Sequence, residues 1–249
     1  MQTTRLSMGM PITVAIVGTD ETALAATEEV FAYFDFVDRR FSTYKPTSEV
    51  MRVNRNECSL DSISDELAEV LELSEQTKQE TNGYFDITLP DGTIDPSGLV
   101  KGWAIYNAAQ LLYACGYENF FIDAGGDIQS SGVNDAGNAW SVGIKNPFKQ
   151  DEIVKVVYPR GRGVATSGTY IRGDHIYNPH DSALAIKDIV SLTVIGKNVY
   201  EADRFATAAF AMGKDSINFI ESRDDLAGYM IDAGGVATMT SNFNQYTHV

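Results

Sequence analysis

The chain has 249 residues, 44% hydrophobic and 21% charged, enough apolar material for a core in one large domain or two small ones. A formal net charge of −15, with Lys and Arg scattered rather than clustered, argues against nucleic acid as a partner, because a phosphate backbone calls for a basic patch. Two cysteines, Cys58 and Cys115, are too few for a disulfide framework and lack metal-ligand spacing, so both are expected to be ordinary buried or semi-buried thiols.

The opening MQTTRLSMGMPITVAIVG carries one basic residue and no long apolar run. It reads as neither signal peptide nor membrane span, and a cytoplasmic protein is the expectation. Ile12, Val14 and Ile16 alternate with smaller or polar residues, which is strand period. Gly18-Thr19-Asp20 offers a turn and an N-cap, and Leu24, Ala25, Val30, Phe31, Phe34 and Val37 mark an amphipathic helix over 21–37. A second helix is expected over 62–81, with Ser62 and Asp65 at capping-box spacing, Ile63, Leu67, Val70 and Leu71 as its stripe, and Asn82-Gly83 as its stop.

A third helix is expected from Ser97 to Ala114, ending at Gly116 and burying Leu99, Trp103, Leu111 and Leu112. Strands follow at 120–122, 153–158 and 189–195, then helices at 201–212 and 216–221, and a terminal hairpin over 227–240 around Gly234-Gly235. Helices and strands mix without regular βαβ alternation, which predicts an α+β fold rather than a doubly wound sheet. With no internal repeat and no low-complexity linker, residues 1–249 read as one compact domain.

Four segments carry candidate chemistry. Asp203 and Thr207 stand four apart on an expected helix, so a carboxylate and a hydroxyl share a face, as a hard oxygen-seeking cation such as Mg2+ requires. The same pair near a helix start is more often a cap and a satisfied polar face. Ser97-Gly98 at a helix start, with Lys101 one turn on, could hold a phosphate or be a plain turn and cap. Gly125-Gly126 permits close backbone approach but usually only a tight turn. His175 follows a polar turn, and a lone histidine is more often structural than catalytic; His180 and His248 have weaker context. There is no nucleophile elbow, Walker loop, Rossmann fingerprint or zinc ligand cluster.

Taken in order, Met8-Gly9, Phe41-Ser42-Thr43-Tyr44 with Ser48-Glu49, GYFDIT (83–88), DPSGLVKG (95–102), AGGDI (124–128), ATSG (165–168) with Arg172 and His175 after it, and EADRFAT (201–207) resemble the ApbE family of FAD:protein FMN transferases. Each motif alone is weak; their joint order over nearly the whole chain is specific. The resemblance implies a single α+β domain of the family's T-fold-like type with an FAD cleft. It implies FAD contacts at Met8, Tyr44, Tyr84, Phe85, Asp86, Asp95 and Lys101, magnesium ligands at Gly98 (through its carbonyl), Asp203 and Thr207, and a catalytic role for His175. It also implies the reaction: FMN passes from FAD to a Thr or Ser hydroxyl of an acceptor flavoprotein and AMP is released. A homodimer is compatible with this reading.

Departures from the family pattern are a short segment between Thr88 and Asp95, Asn178 where an Asp is usual, Asp181-Ser182 in place of Thr-Gly, and Ala206 where some members carry another carboxylate. Hydrolysis of FAD to FMN and AMP, and FAD binding without turnover, are the alternatives that the sequence leaves open.

Overall fold

Alternating apolar residues from both ends of the chain meet in one antiparallel sheet. The computed structural model describes residues 1–18, 21–169, 177–181 and 185–248. Its eight-stranded sheet contains β1 (Gln2–Ser7), β2 (Met10–Ile16), β3 (Phe120–Ala124), β4 (Asp127–Ser131), β7 (Gly163–Gly168), β8 (Ile189–Gly196), β9 (Ala227–Asp232) and β10 (Ala237–Met239), in that spatial order. β5 (Val142–Asn146) and β6 (Lys149–Val157) form a separate antiparallel hairpin.

The expected strands fall on β2, β3, β6 and β8, with β6 starting earlier, at Lys149, and ending at Val157, one residue short of the expectation; the terminal hairpin is β9 paired with β10. β1, β4 and β7 carry no alternating apolar signal. β1 is a polar edge strand, QTTRLS. DIQSS and GVATSG are short central strands of small and polar residues, almost all buried. Small side chains are needed there because helices lie close: a Cβ on Gly163 would fall 1.9 Å from the backbone nitrogen of Val199.

The helices are α1 (Glu21–Phe41), α2 (Glu49–Asn54), α3 (Asp65–Glu80), α4 (Ser97–Ala114), α5 (Val199–Ala211) and α6 (Ser216–Glu221). α1 continues a turn beyond Val37, because Phe41 is also buried. The cap of α3 is Ser64, whose hydroxyl accepts from the Leu67 N–H at 3.2 Å. Ser62, expected in that role, instead ends a 3-10 turn and donates to the Ser59 carbonyl at 3.0 Å. α4 agrees with its expected span and is largely buried between α1, α5 and the sheet, with Gln110 and Tyr113 exposed near its end; of its four expected apolar contacts Leu111 is only half-buried. Cys58 is half-buried but Cys115, at the C-terminus of α4, is exposed.

The helices cover one face of the sheet. The β5–β6 hairpin and a 3-10 turn at Phe243–Tyr246 cover part of the other, around Ile128, Val164, Ile195 and Tyr229. The strand alternation fixes which residues reach which layer: Ile12, Val14 and Ile122 face the helices, while Phe121 joins the hairpin side.

Candidate active site

α4 and α5 cross so closely that two glycines of α4 touch α5. A Cβ on Gly98 would lie 3.2 Å from Thr207 Cγ2. One on Gly102 would lie 2.6 Å from the Asp203 Cβ and 2.9 Å from the Val199 carbonyl oxygen. Only a residue without a side chain fits at Gly102, and its N–H donates to Asp203 Oδ2 at 2.7 Å. In a regular helix that N–H serves the carbonyl four residues back, which is Gly98. Thr207 Oγ1 lies 3.4 Å from the same carbonyl, at the long limit for a hydrogen bond. A buried carboxylate, a hydroxyl and a main-chain carbonyl thus come together at the head of a cleft. They are all hard oxygen donors, and the Thr207–Gly98 contact is weak enough to yield to a cation; the set fits Mg2+. Among the described residues no three His, Cys, Asp or Glu side chains form a metal cluster, so one carboxylate must work with neutral oxygens.

Lys101 stands beside this group. Its Nζ lies 2.5 Å from Asp127 Oδ2 and 3.6 Å from Asp203 Oδ1. The Asp127 contact is a charge contact off hydrogen-bonding direction, and Oδ2 has no hydrogen bond among the described residues. Asp127 Oδ1 accepts from the Thr166 N–H at 3.1 Å. Asp127 and Asp203 are 1% and 3% exposed. Burial pushes the Asp203 carboxyl up to about 8; the negative charge of Asp127 adds to this, while Lys101 and the Gly102 N–H oppose it.

The start of α4 is held by Asp95, whose Oδ1 accepts from the Ser97 N–H at 3.0 Å. Thr88 and Ile94 pair across the short segment between them, so the missing length is closed into a tight hairpin, with Leu89 N–H donating to the Thr93 carbonyl at 2.8 Å. Burial opposes ionisation of Asp86, but Lys78 at 2.7 Å and the Thr88 N–H outweigh it and hold the carboxyl below its usual range.

The cleft collects most of the expected residues. Tyr84, Phe85, Asp86, Asp95, Gly98, Lys101, Asp203 and Thr207 all line it. Met8 and Tyr44 line an adjoining, mainly apolar pocket that shares Ser97 and Lys101 with the cleft; Tyr44 is 95% exposed at its rim. His175 and Arg172 lie outside the described residues. His180 supports the cleft wall instead: its ring packs edge-on against Tyr84 at 4.6 Å, and Nε2 lies 2.9 Å from the Asn82 carbonyl.

Sequence reasoning assigned no role to four residues here. Asp127, inside AGGDI, pairs with Lys101. Gly102, inside DPSGLVKG, admits Asp203. Tyr177 lines the cleft with its hydroxyl buried and without a hydrogen bond among the described residues. Burial raises its pKa, and the nearby Asp86 and Asp95 charges add to that. Arg204, buried on α5, binds Glu201 at 2.6 Å, Glu80 at 2.5 Å and Thr77 at 3.2 Å, and so ties the helix bearing Asp203 and Thr207 to α3. Only tertiary packing identifies Arg204; a glycine inside a helix next to a lysine was the available signal for Gly102.

A model of the ApbE family matches residues 8–91 and 89–230. The FAD:protein FMN transferase of Escherichia coli K12 is 26% identical over 84% of this chain and 77% of its own length. That of Haemophilus influenzae is 24% identical over 92% and 86%. Among solved structures, the ApbE protein of Thermotoga maritima superposes with a TM-score of 0.90 at 20% identity, covering 100% of this chain and 99% of its own. The flavin transferase ApbE of Vibrio cholerae gives 0.85 at 21%, covering 99% of both.

Proposed function

The chain belongs to the ApbE family, and from that premise we propose that it is an FAD:protein FMN transferase acting as one domain over residues 1–249. The observation that carries this reading is the meeting of Asp203, Thr207 and the Gly98 carbonyl at the head of a cleft lined by five of the seven expected FAD contacts. FAD is the substrate, Mg2+ the cofactor, and the partner a flavoprotein presenting a Thr or Ser hydroxyl. No helix among the described residues is long and apolar enough to cross a membrane.

Gly98, Asp203 and Thr207 hold the metal in this reading, and a bound Mg2+ neutralises pyrophosphate charge and polarises the phosphoryl group. Lys101 adds a cation beside the same oxygens, and the N-terminus of α4 adds its dipole. Tyr84, Phe85, Asp86 and Asp95 hold one part of FAD; Met8 and Tyr44 hold another in the adjoining pocket. His175 takes the proton of the acceptor hydroxyl. The acceptor oxygen forms a bond to the FMN phosphorus, the bond from that phosphorus to the bridging oxygen breaks, and AMP leaves with the bridging oxygen. Charge neutralisation and positioning dominate, as in other phosphoryl transfers.

The test is incubation with FAD and Mg2+, with and without an acceptor domain, following AMP by chromatography and acceptor mass by spectrometry. AMP release with an acceptor mass gain of one FMN is expected. AMP release without acceptor would make the protein an FAD hydrolase, and bound FAD with no AMP in either case would make it a binding protein.

A further inference from the structure

A third cavity of about 570 Å³ lies on the other face of the sheet, under the β5–β6 hairpin. It shares Gly125 and Thr166 with the cleft and Met10 with the adjoining pocket, so the three spaces meet at the β3–β4 turn. The sheet itself parts there. The ladder between β4 and β7 is confined to Ile128–Val164 and Gln129–Gly163, and beyond it the Asp127 side chain, not the backbone, receives the Thr166 N–H. None of the seven expected FAD contacts lines this third cavity; all of them line the other two.

Its walls indicate what would fill it. Gly9 and Gly126 have open space where a Cβ would stand, leaving room for another main chain. Thr13 and Thr166 carry hydroxyls there, the first paired with Thr4 at 2.9 Å and the second with Thr193 at 2.8 Å, and Ile128 and Val142 add an apolar surface. Asp123 enters from the sheet and Lys145 from the hairpin, so a carboxyl group and an ammonium face the same space. Asp123 resists ionisation, chiefly through burial. A wall with one carboxylate, one ammonium and several hydroxyls is poorly suited to a pyrophosphate and well suited to a short extended peptide with small side chains. With FAD in the cleft and its side pocket, an incoming hydroxyl must reach the FMN phosphorus from the side away from the AMP half.

We propose that this cavity receives the Thr- or Ser-bearing segment of the acceptor protein in extended form and passes its hydroxyl over Gly125 to the FMN phosphorus. The inference rests on the FMN-transfer reading. The bonds made and broken are those of that reaction; the cavity adds only the path and the orientation of the attacking oxygen.

The test narrows the cavity with Thr13→Phe, a change that suits a strand position, and reverses charge at its hairpin wall with Lys145→Glu. For each variant, the FAD dissociation constant in Mg2+ and the KM for an acceptor domain are measured. The expected result is an FAD constant within about twofold of wild type with an acceptor KM raised roughly tenfold or more by Thr13→Phe. An FAD constant that rises as much as the acceptor KM would make the cavity an FAD subsite and overturn the proposal, as would no change in either. Should wild type bind FAD yet flavinylate nothing, the FMN-transfer reading fails separately. The cavity is then judged by titrating acetyl-Gly-Ala-Thr-Ala-Gly-amide and following Trp140 emission, since Trp140 packs on Phe121 of the cavity wall with ring centroids 5.3 Å apart. A saturable change abolished by Thr13→Phe supports the peptide site, and no saturable change overturns it.

Discussion

Gly102→Ala separates the proposed metal site from the stability of the fold. The added methyl would stand 2.6 Å from the Asp203 Cβ, 2.9 Å from the Val199 carbonyl oxygen and 3.0 Å from Asp203 Oδ2. Carbon atoms in contact prefer at least 3.5 Å, so α5 must retreat from α4 by roughly 1 Å at this point. Overpacking of that kind costs about 1–3 kcal/mol. Replacing glycine by alanine inside a helix returns about 1 kcal/mol, so the net loss of stability is expected to be about 0–2 kcal/mol and the protein stays folded. The metal site has no such compensation. Asp203 moves with α5 while the Gly98 carbonyl stays on α4, and Mg2+ tolerates little departure from its short ligand distances. The Mg2+ concentration at half-maximal AMP release is therefore expected to rise at least about tenfold, from loss of one well-placed ligand worth about 1.4 kcal/mol. Urea unfolding and a Mg2+ titration of turnover on the same preparation make the comparison. A folded variant whose Mg2+ midpoint stays within about twofold of wild type would refute the claim that this glycine sets the metal geometry.

Other consequences follow from the same geometry. In metal-free protein the raised pKa of Asp203, to about 8, means that the folded state keeps a proton the unfolded chain gives up. Stability should be fully present below the ordinary carboxylate range and fall as pH rises through the window up to about 8, by at most about 1.4 kcal/mol per unit. Thermal melts from pH 5 to 9 should show that decline, Asp203→Asn should flatten it, and added Mg2+ should stabilise more at pH 8.5 than at pH 6; a Mg2+ effect that shrinks with pH would contradict the metal assignment. Arg204→Ala leaves Glu201 and Glu80 without their shared cation and should cost about 3 kcal/mol. Arg204→Met with Glu201→Leu should recover most of that in urea unfolding, whereas an equally unstable double variant would point to packing against Phe205 instead. Tyr177→Phe removes a hydroxyl that no described residue engages, so the melt should be unchanged while FAD binding weakens about tenfold, the scale of one hydrogen bond to a charged group.

Legibility from the sequence followed the physics of each element. α4 could be read to the residue because DPSG, a mainly apolar stretch and Gly116 mark both ends. β4 and β7 were invisible because each has a single large apolar residue, Ile128 and Val164, among buried Asp, Gln and Ser in β4 and Gly, Ala and Ser in β7, and such a run leaves no hydropathy period. The cap of α3 slipped from Ser62 to Ser64 because two serines two residues apart both offer a capping hydroxyl, and only the fold decides which reaches an amide.

The site divides in the same way. Asp203 and Thr207 could be paired from helical spacing, because i and i+4 point one way whatever the helix packs on. Gly98 could be added only through the resemblance, since a carbonyl ligand has no side chain to announce it. Asp127 could not be given a role at all: its partner Lys101 is 26 positions away, and they meet only because β4 lies against α4. That meeting changes the meaning of Lys101. By spacing it is a phosphate-binding cation one turn into a helix. In the fold it already lies against one buried carboxylate and near a second, so binding a pyrophosphate there exchanges one set of oxygen partners for another rather than filling an unpaired charge. In the proposed reading, the preference of Lys101 for FAD over its own carboxylates depends on Asp203 being taken by the metal, and metal and dinucleotide binding are then expected to support one another through a single lysine.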